Sequence, residues 1–474
     1  MLALLSPSIS ASSEYSPIGF YDTDNLVLEN GFRLILKPRG EVRNTSIRLV
    51  VGVGTGDFPC GRKETPHFLE HLLFTGTSKH TETELDDLID EHGGSWNATT
   101  GKTRTTYQVD IFSKYTGLAI ETLHEILTDS TISEKNVELS RNIIHRESGG
   151  EPSRLRQWMF RHGVGKSAGQ KAFEYLGMRC PQMETAGDIT REDVLETFST
   201  YYVPNNMTLI VVGDFDRSEV VARVRETFGT MEGKETPERS RTLPKAIGGK
   251  SFRGTMSPIV GSDATVGLCY PAAGNRSPDH FGLKILAAYL NDALYNTIRV
   301  EQGLSYSPGA AYFGETEIGI FCAVADVDLD DVEKALEIIK QEIRKVSTTP
   351  PDDKKLEDIK RGMLLRLAQL GESNIEYATY YVTRLPEFDR EGRYLDHGDR
   401  IAAVKPDDLS RIAATVFTDS NEITIFDEPT ISYTKLYAAL IIGSLLFGAI
   451  GWRAYRSYRL RWRRRSRMAH EGDS

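Results

Sequence analysis

The chain has 474 residues, of which 39% are hydrophobic, 26% charged and 9% aromatic. This composition is globular and argues against disorder or a fibre, and the length predicts roughly two to four domains. The net charge is −10, and because the tail from Arg453 onward carries +6, residues 1–452 carry −16. So acidic a body argues against nucleic acid as the main partner.

Strand and helix signals alternate along the chain. Residues 26–38 (LVLENGFRLILKP) predict a hairpin with Asn-Gly at its turn, and residues 46–53 and 107–112 predict strands. Residues 83–92, 117–128 and 134–147 have the pattern of helices. A second series starts near residue 256, where residues 263–271 are similar in kind to residues 44–53. This weak internal duplication predicts two αβ domains of about 200 residues, joined by a polar linker at 231–250.

The four cysteines are Cys60, Cys180, Cys269 and Cys322. They are widely spaced and form no CxxC pair, so the pattern indicates neither a metal site nor a disulfide framework. Cys269 and Cys322 lie in apolar, strand-like runs. We expect both to be thiols in the core.

The C-terminus carries the signature of a membrane anchor. Leu436 to Trp452 is 17 residues without a charge, about 25 Å as a helix, and an Arg-rich run follows. We predict a transmembrane helix at 433–455 and a basic tail at 456–474; the alternative is a buried amphipathic core helix. The positive-inside rule places the tail in the cytoplasm and the body in a periplasm or lumen. That arrangement requires export, yet residues 1–20 match a signal peptide poorly, because they lack a basic region.

The central motif is His67-Phe-Leu-Glu70-His71. On a helix, positions i and i+4 lie on one face, so both imidazoles can bind one ion. Glu70 lies beside them, which suits a carboxylate that activates a zinc-bound water. This is the inverted His-x-x-Glu-His motif of the inverzincins. The alternative is two surface histidines with an unrelated glutamate.

Three segments together resemble the pitrilysin, insulin-degrading enzyme and mitochondrial processing peptidase family. They are HFLEHLLFTGT at 67–77, GGSWNATTGKTRTTY at 93–107 and YYVPNNMTLIVVGDFD at 201–216. The resemblance implies a zinc metalloendopeptidase with one zinc per chain, held by His67, His71 and a third ligand 76 residues later, Glu147. It also implies that peptide pairs with the strand near Asn97.

The second half contains RVEQGLSY, which is similar to a segment carrying the family's Arg and Tyr seven residues apart. The corresponding residues are Arg299 and Tyr306. They are expected to bind the substrate main chain and the oxyanion that forms at the scissile carbonyl. The alternative is a surface arginine and a half-buried tyrosine without a function in catalysis.

The resemblance implies an α+β fold of two homologous αβ domains, each an antiparallel-rich sheet with helices packed on it. The predicted layout is an N-terminal segment at 1–20, a catalytic domain at 21–230, and a substrate-binding domain at 251–430. The family closes four such domains around a chamber, so a half-sized chain implies a dimer. A homodimer is favoured because both motifs occur in this chain; a heterodimer with an inactive paralogue is the alternative. The expected substrates are peptides or unfolded polypeptides.

The sequence departs from the family pattern at two places. Thr65-Pro66 stands where a small apolar residue is usual, and Ser140 replaces an outer-shell glutamate. These departures bear on efficiency more than on zinc binding. Two other functions remain open. One is a catalytically silent structural subunit of a membrane complex, and the other is a membrane-tethered factor that binds peptides without cutting them.

Overall fold

The first half of the chain is built on a six-stranded sheet. The computed structural model describes residues 19–183, 186–237, 249–255 and 259–470. The strands are β1 (Asp24–Val27), β2 (Arg33–Pro38), β3 (Asn44–Val51), β4 (Ser95–Thr100), β5 (Thr105–Phe112) and β6 (Met207–Gly213). They lie in the order β1-β2-β6-β3-β5-β4, and all pairs are antiparallel except β2 with β6. Strand β4 therefore forms one edge of the sheet.

The predicted hairpin is present as β1 and β2. Its turn contains Asn30 and Gly31, and Gly31 has a φ of +85°. A Cβ atom at Gly31 would lie 2.6 Å from the Cβ of Asn205, so this position needs glycine for both conformation and space.

Among the described residues, eight α-helices lie in this half of the chain. They are α1 (Thr65–Leu72), α2 (Glu82–Asp90), α3 (Thr116–Thr128), α4 (Glu134–Glu147), α5 (Arg154–Arg161), α6 (Ala168–Tyr175), α7 (Arg191–Tyr201) and α8 (Arg217–Glu226). Helices α1, α3 and α8 bury apolar side chains on one face of the sheet, against Leu34, Leu49 and Val211 among others. The predicted helices at 83–92, 117–128 and 134–147 correspond to α2, α3 and α4.

The second half repeats the plan with a five-stranded sheet in the order β10-β11-β9-β12-β7. Its strands are β7 (Lys250–Thr255), β9 (Asp263–Ala273), β10 (Gly309–Gly314), β11 (Ile318–Asp328) and β12 (Ile423–Glu428), while β8 (Val260–Gly261) and β13 (Ile431–Ser432) form a separate pair. Its helices are α9 (His280–Leu294), α10 (Val332–Thr348), α11 (Asp353–Gln369), α12 (Asn374–Glu391), α13 (His397–Ala402) and α14 (Pro406–Val416). The α+β fold class is confirmed.

One helix from each half of the chain packs on the sheet of the other half. Helix α12 covers the second face of the first sheet, where Tyr377 and Tyr381 pack with Ile35 and Ile210. Helix α6 covers the second face of the second sheet, and the backbone N–H of Ala168 donates to the Asp427 carboxylate at 2.7 Å. Since successive strand residues point to opposite faces, both sheets are apolar on both sides. The predicted linker at 231–250 lies partly outside the described residues, which omit 238–248.

The prediction for the cysteines is wrong. Cys60 is bonded to Cys180, and Cys269 is bonded to Cys322 on the neighbouring strand β11. The paired cysteines are 120 and 53 residues apart. Tertiary packing brings them together, and spacing alone carries no information on such pairs.

Helix α15 (Tyr433–His470) follows β13 directly. Its segment Tyr433–Trp462 is the one helix, within the described residues, that is long and apolar enough to cross a membrane. The predicted segment from Leu436 to Trp452 lies inside it. Its side chains are exposed, so the alternative of a buried core helix does not apply to this arrangement. The N-terminal segment at 1–20 lies outside the described residues up to position 18.

Candidate metal centre

Helix α1 presents the inverted motif because its other face is fixed in the core. Phe68, Leu69 and Leu72 are fully buried. Pro66 occupies the first turn of the helix, where its missing N–H costs nothing. The side chains of His67, Glu70 and His71 are left on the half-buried opposite side.

Helix α4 brings the third predicted ligand to this face. Ser133 caps its N-terminus by accepting a hydrogen bond from the backbone of Asn136, and Glu147 is its last residue. The guanidinium of Arg141 lies 5.3 Å from the ring centre of Phe68, so α4 packs across α1. Ser148 is the C-cap of the helix, and Gly149 and Gly150, which follow it, both have positive φ.

The three predicted ligands converge. The Nε2 atoms of His67 and His71 are 3.1 Å apart, and Oε2 of Glu147 lies 3.3 Å and 3.5 Å from them. All three ligand atoms lie within 4.8 Å of one another. Two imidazoles and a carboxylate around one point form a donor set suited to a catalytic zinc ion.

Glu64 also contacts the site, and sequence reasoning missed it. Its Oε2 lies 2.8 Å from Nδ1 of His67, three residues further along the chain. Burial lowers the pKa of His67, but its hydrogen bond to Glu64 and the charges of Glu70, Glu64 and Glu147 outweigh burial and raise the pKa. Burial and the charge of His67 lower the pKa of His71 instead. The sequence signal for Glu64 was its position three residues before His67 at a helix N-terminus, because side chains at i and i+3 lie close together on a helix.

Glu70, also predicted for this site, lies beside two of these ligands. Its Oε2 is buried and has no hydrogen-bond partner within the described residues. Glu70 lines a cavity of about 470 Å³ together with His67 and Glu147. A buried carboxylate oxygen without a hydrogen-bond partner is energetically unfavourable unless a ligand or a water molecule contacts it. The arrangement therefore fits a group bound in this cavity.

The edge strand β4 borders the same cavity through Thr99 and Thr100. Because β4 is the last strand of its sheet, its outer backbone groups are not paired within the sheet. Asn97 lies on this strand, and its side chain accepts a hydrogen bond from the backbone of Ala98 at 2.8 Å.

Arg299 and Tyr306 lie together but apart from this cavity. The Arg299 guanidinium donates to the backbone oxygen of Tyr306 at 2.8 Å and lies 4.2 Å from its ring centre. Tyr306 is 78% exposed. The described residues that line the metal cavity fall between Thr55 and Ala186, so the structure does not bring this pair to the metal site of its own chain.

Comparison with known proteins gives the family. The model described as "Insulinase (Peptidase family M16)" matches residues 35–162, and the model "Peptidase M16 inactive domain" matches residues 188–363. The chain belongs to peptidase family M16. Within the described residues, the candidate metal cluster lies in the part matched by the first of these models.

The relatives and solved structures agree with this assignment. An uncharacterized zinc protease of Streptomyces coelicolor is 26% identical over 82% of this chain and 86% of its own length. The probable beta subunit of the mitochondrial-processing peptidase of Arabidopsis thaliana is 24% identical over 57% of this chain and 50% of its own length.

Two crystal structures share the fold. A protease from Helicobacter pylori has a TM-score of 0.73 and 20% identity, covering 86% of this chain and 100% of that one. The periplasmic protease PqqL from Escherichia coli has a TM-score of 0.68 and 16% identity, covering 86% of this chain and 47% of its own. The half-sized, two-unit member of family M16 predicted from the sequence is thereby confirmed.

Proposed function

We propose that this family M16 protein is a zinc metalloendopeptidase that cleaves peptides or unfolded polypeptides. The observation that carries the proposal is the convergence of His67, His71 and Glu147 beside the unpartnered carboxylate oxygen of Glu70. One zinc ion per chain, held by those three ligands, would supply a Lewis acid and lower the pKa of a water molecule at the site.

Residues of the chain itself carry out proton transfer and substrate binding. Glu70 takes a proton from the attacking water and gives it to the leaving amine. An extended peptide adds to the open edge of β4, where main-chain hydrogen bonds align it along the cavity wall formed by Thr99 and Thr100. Asn97 lies on the same strand and contacts the peptide backbone.

Arg299 and Tyr306 are proposed to serve the metal site of a second copy. They already lie against each other, and Tyr306 is highly exposed, but neither lines the cavity of its own chain. A homodimer that encloses the cleft would bring the pair of one chain to the scissile carbonyl held by the other, where they stabilise the oxyanion. A heterodimer with a paralogue is the competing assembly.

We further propose that α15 anchors the protein with its catalytic body in a periplasm or lumen. Exposed apolar side chains along α15 and the Arg-rich tail support this orientation. The two disulfides also support it, because such bonds persist in oxidising compartments.

The first experiment measures zinc content and cleavage of a quenched, mixed-sequence peptide library. Wild type and Glu70→Gln should both hold about one zinc per chain, and Glu70→Gln should lose at least about 10²-fold in kcat. Glu138→Gln is the matched control, because it makes the same change on the exposed side of α4. Wild type that binds zinc yet cuts nothing would favour the silent structural subunit. Wild type without zinc would refute the proposal.

A mixing experiment tests whether Arg299 of one chain acts at the metal site of a second copy. Glu70→Gln and Arg299→Ala chains are each expected to be inactive as homodimers. When the two are co-expressed, mixed dimers contain one complete site, and about a quarter of wild-type activity should return. If Arg299 acted within its own chain, mixing would restore nothing.

A further inference from the structure

The side chain of Glu64, at the start of α1, makes unusual contacts for a residue at a helix N-terminus. It is the N-cap of α1, yet its side chain makes no capping hydrogen bond. The N-caps of α2, α4 and α7 are Thr81, Ser133 and Thr190, and each accepts a hydrogen bond from the backbone of its own helix. The carboxylate of Glu64 therefore does not stabilise its helix in the usual way.

Instead, the carboxylate contacts the first metal histidine. Glu64 Oε2 is 2.8 Å from Nδ1 of His67, and its side chain is only 19% exposed. A carboxylate at this distance accepts the Nδ1 proton and so selects the tautomer whose Nε2 carries the free lone pair. Nε2 of His67 is the atom that faces His71 and Glu147.

The second histidine ligand, His71, has no comparable support among the residues that the structure describes. Within the described residues, the hydrogen bonds and ion pairs of His71 are all made through Nε2. Ser140, which the sequence analysis singled out on α4, is buried, and its Oγ has no hydrogen-bond partner there. Among the side chains described, only Glu64 thus places a carboxylate behind a metal ligand.

We propose that Glu64 is a positioning residue for the metal centre, holding His67 in the tautomer and ring orientation that bind the ion. The inference rests on the proposed zinc site and goes beyond it, because Glu64 is neither a ligand nor part of the inverted motif. Carboxylates that hold a histidine ligand in this way typically contribute a factor of 10–100 in metal affinity. This residue acts through His67 and does not touch the substrate.

The test is the zinc dissociation constant, measured on the full-length protein by competition with a chromophoric chelator. Glu64→Ala should bind zinc 10–100-fold more weakly than wild type. Glu64→Gln keeps an oxygen that can accept the Nδ1 proton, so it should lose less. Glu84→Ala is the matched control, because it removes a first-turn glutamate from the exposed capping box of α2. That variant should keep wild-type zinc affinity.

A second readout separates positioning from folding. The melting temperature of the metal-free protein should be no lower for Glu64→Ala than for Glu84→Ala, which loses a capping box, although only Glu64→Ala loses zinc affinity. A zinc dissociation constant for Glu64→Ala within twofold of wild type would overturn the inference and leave the peptidase proposal intact. Wild type that binds no zinc would overturn both.

Discussion

Removal of the Cys60–Cys180 disulfide should destabilise the first half of the chain strongly. The bond joins residues 120 positions apart, from the segment before α1 to the segment after α6. The loop-closure entropy of a ring of this size corresponds to roughly 5 kcal/mol at 25 °C, and losses of about 2–5 kcal/mol are typical for native disulfides. The Cys269–Cys322 bond closes a shorter loop of 53 residues, for which the same relation gives roughly 4 kcal/mol.

The two bonds should also differ in their access to reductant. Cys60 is exposed, whereas Cys269 and Cys322 are both buried beneath α6. Mild reductant followed by alkylation and mass spectrometry should label the first pair well before the second. Denaturant unfolding of Cys60→Ser/Cys180→Ser in detergent should then report the lost free energy. A loss below about 1 kcal/mol, or labelling of both cysteines without reductant, would refute the reasoning.

Three further results are expected. Burial lowers the pKa of His280 to about 3, with Lys284 and Arg384 adding to the effect. Below pH 6.5 the unfolded chain therefore binds a proton at His280 that the native protein does not. The free energy of unfolding should fall by about 2 kcal/mol between pH 7 and pH 5 for this reason. Urea titrations should show that His280→Phe removes this loss. Tyr381→Phe should cost about 1–2 kcal/mol in the same assay, because it deletes the buried hydrogen bond to the backbone oxygen of Phe20. A chain truncated before α15 should move from the membrane to the soluble fraction; retention in the membrane would contradict the anchor.

Local patterns were predictable from the sequence because short-range geometry fixes them. The spacing of His67 and His71 forces both rings onto one side of a helix, wherever that helix packs. The hairpin at β1 and β2 follows in the same way from its Asn-Gly turn between two short apolar runs. Glu147 could be found only through resemblance, since nothing local connects it to a site 76 residues earlier.

The features that were missed depend on tertiary packing. Neither disulfide could be read from spacing, because each joins segments that meet only after the sheets form. The sequence also did not predict that α6 and α12 each pack on the sheet of the other half of the chain. A helix with an apolar face, such as that of Tyr377 and Tyr381, does not specify which sheet it covers.

This exchange bears on how the metal centre stays in place. The ligands come from two helices, α1 and α4, while α12 buries the opposite face of the sheet beneath α1. Cys180 ties the segment after α6, which packs on the second sheet, to the segment that leads into α1. The ligand helix is thus fixed to both halves of the chain, so displacement of one half relative to the other would have to disturb one of these contacts. In the proposed dimer we therefore expect relative motion to occur between the two copies, with each chain moving as a unit.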